Sequence, residues 1–196
     1  MKLNAQKTSI EGKLLETVHE TKLLGTIITS DLKWHKNSEM LIKKAFQRMQ
    51  MIRHLKSFGV KKEDLVTIYI LYIRSILEQN CQVWHFSLTL EDETNIERVQ
   101  KVALYLILHE EYISYTNALQ TLNLTTLKAR RTDLCLKFAK RCTKHPLAAQ
   151  MFPLNSTVKC NLRNREKFKV QPSKTDRLLN SSIPQLQRAL NKDYAK

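Results

Sequence analysis

Cysteine and histidine side chains in the C-terminal half are the residues with metal-binding chemistry. Cys135, Cys142, His145 and Cys160 could together supply the four ligands of a zinc ion. Their spacing matches no zinc finger or knuckle, and Cys135 and Cys142 fall on one apolar helical face. We therefore interpret these cysteines and Cys81 as free thiols of a protein in a reducing compartment. The sequence predicts no metal site.

Catalytic carboxylates and phosphate-binding loops are also lacking. Two-metal phosphoryl chemistry needs acids on adjacent strands, and the only acids of the strand region, in no such arrangement, are Glu11, Glu16, Glu20 and Asp31. The acidic run at residues 91–93 is typical of the first turn of a helix. Three glycines cannot form a glycine-rich nucleotide loop, and nucleophile signatures are absent from the sequence. We predict no catalytic residue, no cofactor and no small-molecule substrate.

Positive charge dominates the composition. The chain has 33 lysine and arginine residues against 18 aspartate and glutamate residues, which gives a net charge of +15. Such an excess attracts polyanions and speeds their encounter with the protein. Nucleic acid is the first candidate partner and an anionic membrane surface the second. A basic surface without any partner is the third interpretation.

One predicted helix concentrates this charge. Between residues 39 and 56, apolar residues recur at helical spacing and predict a buried face that consists of Leu41, Ile42, Ala45, Phe46, Met49 and Ile52. No acid occurs between Glu39 and Glu63, so the exposed side carries one sign of charge. A merely solvated face, which is the alternative, more often mixes the signs. The candidate nucleic-acid-binding residues are Lys33, Lys36, Lys43, Lys44, Gln47, Arg48, Arg53 and Lys56.

The elements around this helix predict a mainly α protein. Residues 22–29 are β-branched and apolar and predict a strand, in which Gly25 suits a bulge or a close approach. Thr17 and Val18 could end a partner strand and complete a hairpin. A helix over about residues 63–85 is apolar nearly all round, which indicates a central core helix. Its aromatic residues are predicted to pack rather than to stack on bases: Tyr69, Tyr72 and Trp84.

Three further helices are predicted from their caps. Thr89, Ser114 and either Thr125 or Thr126 precede helical patterns that run to about residues 108, 122 and 143. The last helix carries Arg131 in the middle of its apolar stripe. A buried arginine needs a carboxylate or several carbonyl groups. We expect this partner among Glu78, Glu97 and Glu111, whereas Arg74 is expected to pair with Glu78 one turn away.

The predicted organisation has three parts. Residues 1–32 form a β-hairpin, residues 33–143 a bundle of about five helices, and residues 144–196 a partly ordered basic tail that holds 11 basic residues, 3 acidic residues and all four prolines. The longest apolar region, residues 65–77, is too short to span a bilayer, and no signal peptide is visible. We predict an intracellular protein, nuclear or cytoplasmic, without a membrane partner. The sequence leaves its oligomeric state open.

The order of several short motifs resembles a known family. Residues 21–28 (Thr-Lys-Leu-Leu-Gly-Thr-Ile-Ile) and residues 31–34 (Asp-Leu-Lys-Trp) are similar to the strand and turn that end the palm of non-LTR retrotransposon reverse transcriptases of the jockey-like and LINE type. In the family a basic helix follows this turn, as it does here, and further motifs come after it. The residues that match those motifs are, in order, Leu77-Glu78, Val83-Trp84, residues 96–100 (Ile-Glu-Arg-Val-Gln), Tyr115, Ala118-Leu119, Leu122, Leu124, Thr126-Leu127, Arg130-Arg131, residues 175–177, residues 182–184 and Asn191. The resemblance covers roughly residues 20–191.

This resemblance implies the thumb and C-terminal region of a polymerase. The helix from residue 39 would track an RNA, DNA or RNA–DNA duplex that holds template and primer. The family's catalytic aspartates lie in a Tyr/Phe-Ala-Asp-Asp turn, which this sequence lacks, so magnesium would belong to a palm that this chain does not contain. The expected function is to grip nucleic acid without polymerase activity. Two alternatives remain open: a helical protein-interaction module whose charge is incidental, and an active polymerase.

Overall fold

Helices dominate the fold, as the sequence predicts. The computed structural model describes residues 9–14, 16–155 and 167–195. Its strands are β1 (Ser9–Ile10), β2 (Lys13–Leu14), β3 (Glu20–Leu23) and β4 (Thr26–Thr29). Its helices are α1 (His35–Ser57), α2 (Lys62–Ile68), α3 (Ser75–Glu78), α4 (Cys81–Trp84), α5 (Leu90–Leu108), α6 (Tyr115–Thr121), α7 (Leu127–Cys142), α8 (Asp176–Leu179) and α9 (Ser182–Tyr194). A β-hairpin thus precedes a helical bundle, which confirms the predicted fold class.

The structure has two antiparallel strand pairs, β1–β2 and β3–β4. The β3–β4 pair, called the hairpin from here on, differs from its prediction in detail. Residues 22–29 form two antiparallel strands rather than one, because Leu24 and Gly25 reverse the chain between β3 and β4 with φ angles of 47° and 84°. Two adjacent positive φ angles suit the tight turns of hairpins. Thr17 and Val18 therefore precede β3 and do not end its partner strand. The predicted close approach at Gly25 is confirmed, since a Cβ atom there would lie 2.5 Å from Nε2 of Gln79.

Helix α1 packs along α5 at the centre of the bundle. Its buried face includes four of the predicted apolar residues: Leu41, Ala45, Met49 and Ile52. The helix ends before Gly59, which has a φ of 75° and follows the last turn as glycine commonly does. Contacts from His35 to Asp92 at one end and from Lys56 to Leu106 at the other show that α1 and α5 run in the same direction.

The predicted helix over residues 63–85 is interrupted twice. A π-helical segment, Tyr69–Arg74, joins α2 to α3, and Asn80 then adopts a φ of 52° before α4 begins. The Asn80 side chain donates to the Leu24 carbonyl (3.0 Å) and to Thr26 Oγ1 (2.9 Å), so this break attaches the hairpin to the bundle. Tyr69 and Trp84 are buried as predicted. Tyr72 is 50% exposed, so its predicted packing role is wrong.

Side-chain caps begin the next three helices at the predicted residues. Thr89, Ser114 and Thr126 accept hydrogen bonds from backbone N–H groups in the first turns of α5, α6 and α7. Such caps satisfy donors that have no partner within the helix. Thr126, rather than Thr125, is the cap of α7.

The basic C-terminal part contains a helix that the sequence analysis did not predict. Helix α9 packs on α7 with Leu186 and Leu190 buried, and Lys140 on α7 pairs with Asp193 at 2.6 Å. The Asn191 side chain accepts from the Phe168 N–H (2.8 Å) and donates to the Phe168 carbonyl (2.9 Å). Residues 156–166 of the predicted tail lie outside the described residues. None of the helices that the structure describes has the length and apolar character needed to cross a membrane.

Candidate nucleic-acid interface

The exposed side of α1 carries most of the predicted binding residues. Because α1 buries one face against the bundle, residues one and two turns apart on its opposite side share a solvent-facing surface. The structure divides the eight candidates into residues with internal partners and residues whose charged or amide groups have none among the described residues.

Lys33 and Lys36 have acidic partners. Lys33 precedes α1 and lies 3.7 Å from Asp31, whose pKa is lowered by hydrogen bonds from the Thr29 hydroxyl and the Lys33 N–H. Lys36 in the first turn of α1 pairs with Glu20 on β3, which raises the pKa of Lys36. Both lysines are well exposed, and exposed pairs contribute little to stability. The Lys36–Glu20 pair joins α1 to the hairpin, and both lysines present less net charge than the sequence suggested.

Arg48 and Lys56 hydrogen-bond to backbone carbonyls. Arg48 donates from a terminal guanidinium nitrogen to the Tyr72 carbonyl (3.1 Å) in the π-helical segment. The Lys56 ammonium donates to the carbonyls of Leu106 (2.6 Å) and Ile107 (3.4 Å) at the end of α5. A cation is favourable there because the last carbonyls of a helix lack partners within it. Lys56 is therefore turned toward the bundle and has a structural role.

Four candidates are left without an internal partner among the described residues. Lys43, Gln47 and Arg53 are exposed and Lys44 is half-buried. None of the three cations forms an ion pair with an acid that the structure describes. At 100° per residue, Lys43 and Gln47 lie on the exposed face of α1, and Lys44 and Arg53 lie on its two flanks. We call these four residues the α1 basic surface. Phosphate groups are the ligands that such uncompensated cations attract most strongly.

An exposed aromatic residue that the sequence did not reveal lies next to Arg48 of α1. Tyr72 (50% exposed) and Leu71 (60% exposed) lie in the π-helical segment, whose Tyr72 carbonyl accepts from Arg48. π-helical turns inside helices are often associated with functional sites. Stacking on an aromatic ring is one way in which proteins hold unpaired bases. No sequence signal separated Tyr72 from its buried neighbours, because residues 68–73 are all apolar or aromatic.

Two polar clusters hold α1 and α7 against α5. His35 at the start of α1 lies 2.8 Å from the buried carboxylate of Asp92, which raises the pKa of His35. The Glu97 carboxylate accepts from the N–H groups of Leu127 (3.0 Å) and Lys128 (3.3 Å) in the first turn of α7. Negative charge at a helix N-terminus is stabilising. Together with the hydrogen bond from Lys56 to Leu106, the His35–Asp92 contact fixes both ends of α1, the helix that carries the α1 basic surface.

The predicted carboxylate partner of Arg131 is wrong. Arg131 is fully buried, its Nε donates to His85 Nδ1 (3.3 Å), and its guanidinium lies over the Trp84 ring at 5.7 Å. Of the three carboxylates that were expected to pair with it, Glu78 pairs instead with Arg74 (3.3 Å) and Arg130 (3.1 Å), Glu97 caps α7, and Glu111 pairs with Lys62. Spacing along the sequence could not show that these three carboxylates already bind other arginine, lysine and backbone N–H donors in the folded protein.

Burial and the positive charge of Arg131 keep His85 neutral. His85 is 8% exposed, and burial, with the charges of Arg131 and Lys128, lowers the pKa of His85 to about 4. A neutral imidazole can accept the Arg131 N–H, which a protonated ring could not do.

A cavity of about 1150 Å³ lies where the start of α1, the α4–α5 connection and the α8–α9 region meet. Its basic lining residues are Lys33, His35 and Arg177, and its acidic ones are Glu91, Asp92 and Asp176. Equal numbers of the two signs do not favour a polyanion in this cavity. The expected absence of a small-molecule substrate stays a prediction.

Metal-binding residues do not assemble in the described part of the chain. No group of three or more histidine, cysteine, aspartate or glutamate side chains there could hold a metal ion. Cys160, one member of the set that the sequence offered for zinc, lies outside the described residues. Cys81, Cys135 and Cys142 are buried free thiols, as expected.

Comparison with family models, curated proteins and solved structures finds no match for this chain.

Proposed function

We propose that the protein binds nucleic acid through the α1 basic surface. The observation that supports this proposal best is the set of three cations, Lys43, Lys44 and Arg53, that no described acid neutralises on a helix fixed at both ends. The net charge of +15 adds long-range attraction for any polyanion. Contacts of this kind reach phosphates rather than base edges, so binding should tolerate many sequences.

The proposed ligand is an RNA, a DNA or an RNA–DNA duplex. On the resemblance to reverse transcriptases, α1 would act as a thumb helix that follows template and primer. The sequence has no Tyr/Phe-Ala-Asp-Asp turn, so we expect the isolated chain to extend no primer in the presence of Mg²⁺. Magnesium chemistry would belong to a palm supplied by another polypeptide segment.

The salt dependence of affinity tests this proposal. Fluorescence anisotropy with a labelled RNA–DNA duplex would give the dissociation constant between about 50 and 200 mM salt. The slope of log K against log salt is about −0.9 for each phosphate contact, so three contacts predict about a 40-fold loss across this range. A Lys43→Ala/Lys44→Ala/Arg53→Ala variant should lose most of that slope.

A matched variant separates a defined surface from total charge. Lys62, Lys128 and Lys137 pair with Glu111, Glu93 and Asp133. Their simultaneous replacement by alanine removes the same three positive charges, and we expect the salt slope to change little. Equal losses in the two variants would contradict a specific α1 surface. Salt-independent duplex binding, or none, would discard the proposal and favour a protein-interaction module.

A further inference from the structure

An exposed tyrosine lies within the apolar segment that joins α2 to α3. The most deeply buried residues around it recur at every fourth position: Leu65, Tyr69, Ile73 and Leu77. In a regular α-helix, at about 100° per residue, Tyr72 would lie about 20° from Leu65 and would be buried with it. The π-helical segment closes its hydrogen bonds over five residues instead of four, so Ile73 takes the core position and Tyr72 turns outward to 50% exposure.

A hydrogen bond holds this tyrosine against α1. Arg48 donates from a terminal guanidinium nitrogen to the Tyr72 carbonyl (3.1 Å), and the π-helical segment packs along α1. Lys44 precedes Arg48 by one turn on the same flank of α1, because residues four apart on a helix are neighbours. Tyr72 therefore lies beside the flank of the α1 basic surface that carries Lys44.

An aromatic ring next to a cation matches a nucleotide whose base is unpaired. A nucleotide carries its charged phosphate next to the flat face of its base. An aromatic side chain holds an unpaired base by stacking, whereas a cation attracts the phosphate whatever the base. Inside a duplex, the neighbouring base pairs cover both faces of each base. An aromatic ring can therefore stack only on a base at a strand end or in a single strand.

We propose that the ligand of the α1 basic surface contains a single-stranded segment, in which Tyr72 stacks on an unpaired base while Lys44 contacts the adjoining phosphate. This inference rests on the proposed binding of nucleic acid, and it narrows the ligand from a plain duplex to a single strand or a duplex with an overhang. A base stacked on an aromatic side chain raises affinity about 5- to 150-fold. The ring makes this contact, so the tyrosine hydroxyl is not required.

Three labelled probes of matched sequence separate stacking from charge. Fluorescence anisotropy with the full-length protein at about 50 mM salt compares a blunt RNA–DNA duplex, the same duplex with a single-stranded overhang of about eight nucleotides, and the overhang strand alone. We expect the overhang to raise affinity about fivefold or more over the blunt duplex. An overhang also adds phosphates, so the variants decide its cause. Tyr72→Leu should lose about fivefold or more on both single-stranded probes and nothing on the blunt duplex, and Tyr72→Phe should bind like the wild type.

Leu71→Ala is the matched control, because Leu71 is 60% exposed in the same segment and has no ring. It should leave all three affinities unchanged. Stacking carries no charge, so Tyr72→Leu should also keep the wild-type salt slope, which the Lys43→Ala/Lys44→Ala/Arg53→Ala variant lowers.

The failure of this inference is distinct from the failure of the proposed function. If Tyr72→Leu binds the overhang probes as tightly as the wild type, Tyr72 does not stack on a base, and the exposed pair Leu71-Tyr72 is assigned to contact with a protein instead. An equal loss on all three probes, or an equal loss in Leu71→Ala, would also overturn the stacking role. In each of these cases duplex binding through the α1 basic surface still stands. Binding of none of the probes would refute nucleic-acid binding and the stacking role together.

Discussion

Replacing Gln100 with leucine should destabilise the protein far more than its neutral side chain suggests. Gln100 on α5 is fully buried and joins three elements by hydrogen bonds. Its Oε1 accepts from the Tyr69 hydroxyl (2.6 Å), and its Nε2 donates to the Tyr115 hydroxyl (2.8 Å) and to the Thr125 carbonyl (2.9 Å). Burial raises the pKa of Tyr69, which keeps this donor protonated.

The magnitude follows from the groups that lose their partners. In Gln100→Leu, the Tyr69 hydroxyl and the Thr125 carbonyl are left without this partner, whereas the Tyr115 hydroxyl still donates to Glu97. An orphaned buried polar group costs about 1–3 kcal/mol, and the added apolar contact of leucine offsets part of that cost. We expect a decrease of about 3 kcal/mol in the free energy of unfolding. Tyr69→Phe removes a single bond and should cost about 1–2 kcal/mol.

Urea unfolding followed by tryptophan fluorescence measures these changes, because Trp34 and Trp84 are both buried. Gln50→Leu, on the exposed side of α1, is the matched control and should change the free energy by less than about 0.5 kcal/mol. The Tyr69→Phe/Gln100→Leu double variant should be less destabilised than the sum of the single variants, because it removes the orphaned hydroxyl. A Gln100→Leu protein as stable as the control, or strict additivity, would refute the network.

Two further predictions concern the hairpin and His85. Gly25→Ala should lower the free energy of unfolding by about 1–2 kcal/mol because of its φ of 84°, and further because the new Cβ atom displaces the Gln79 side chain. Gly59 has a φ of 75° but open space around it, so Gly59→Ala should show the backbone strain alone; urea unfolding measures both variants. The His85 imidazole takes up a proton near pH 6.5 in the unfolded protein and only near pH 4 in the folded protein. Between these values protonation favours the unfolded state, so about 3 kcal/mol of the free energy of unfolding should be lost as the pH falls from 6.5 to 4. His85→Gln should lose less over the same window, and parallel pH profiles would show that His85 is not held neutral.

Local patterns in the sequence were sufficient to predict most of the helical bundle. Hydrophobic periodicity predicted the buried face of α1. Thr89, Ser114 and the pair Thr125-Thr126 marked the starts of three helices, because periodicity and capping depend on residues within a few positions of each other. Gly25 was recognised as a special backbone position. The single strand assigned around it was wrong because β-branched residues on both sides hid the turn.

Helix α9 was missed although Ile183, Leu186 and Leu190 recur at helical spacing in the sequence. Four prolines and a high charge suggested an irregular tail, yet Leu186 and Leu190 are buried on α7 and Asn191 pairs with the backbone of Phe168. These contacts join residues distant in sequence. Tertiary packing supplies most of the stability of such a helix, so the prolines and charges around it were a poor guide to whether this amphipathic segment folds.

The sequence by itself determined that the chain is basic, mainly helical and carries a one-sign run of charge on α1. Only the tertiary structure decided which of those charges are free. Lys36 pairs with Glu20, Arg48 and Lys56 donate to backbone carbonyls, and Arg131 contacts His85 and the Trp84 ring rather than a carboxylate. The physical reason is that composition and helical period are local, whereas the partner of a charge is set by which elements pack together. The packing of the elements therefore separates the basic residues of α1 into those that bind other parts of the protein and those that remain available to a ligand.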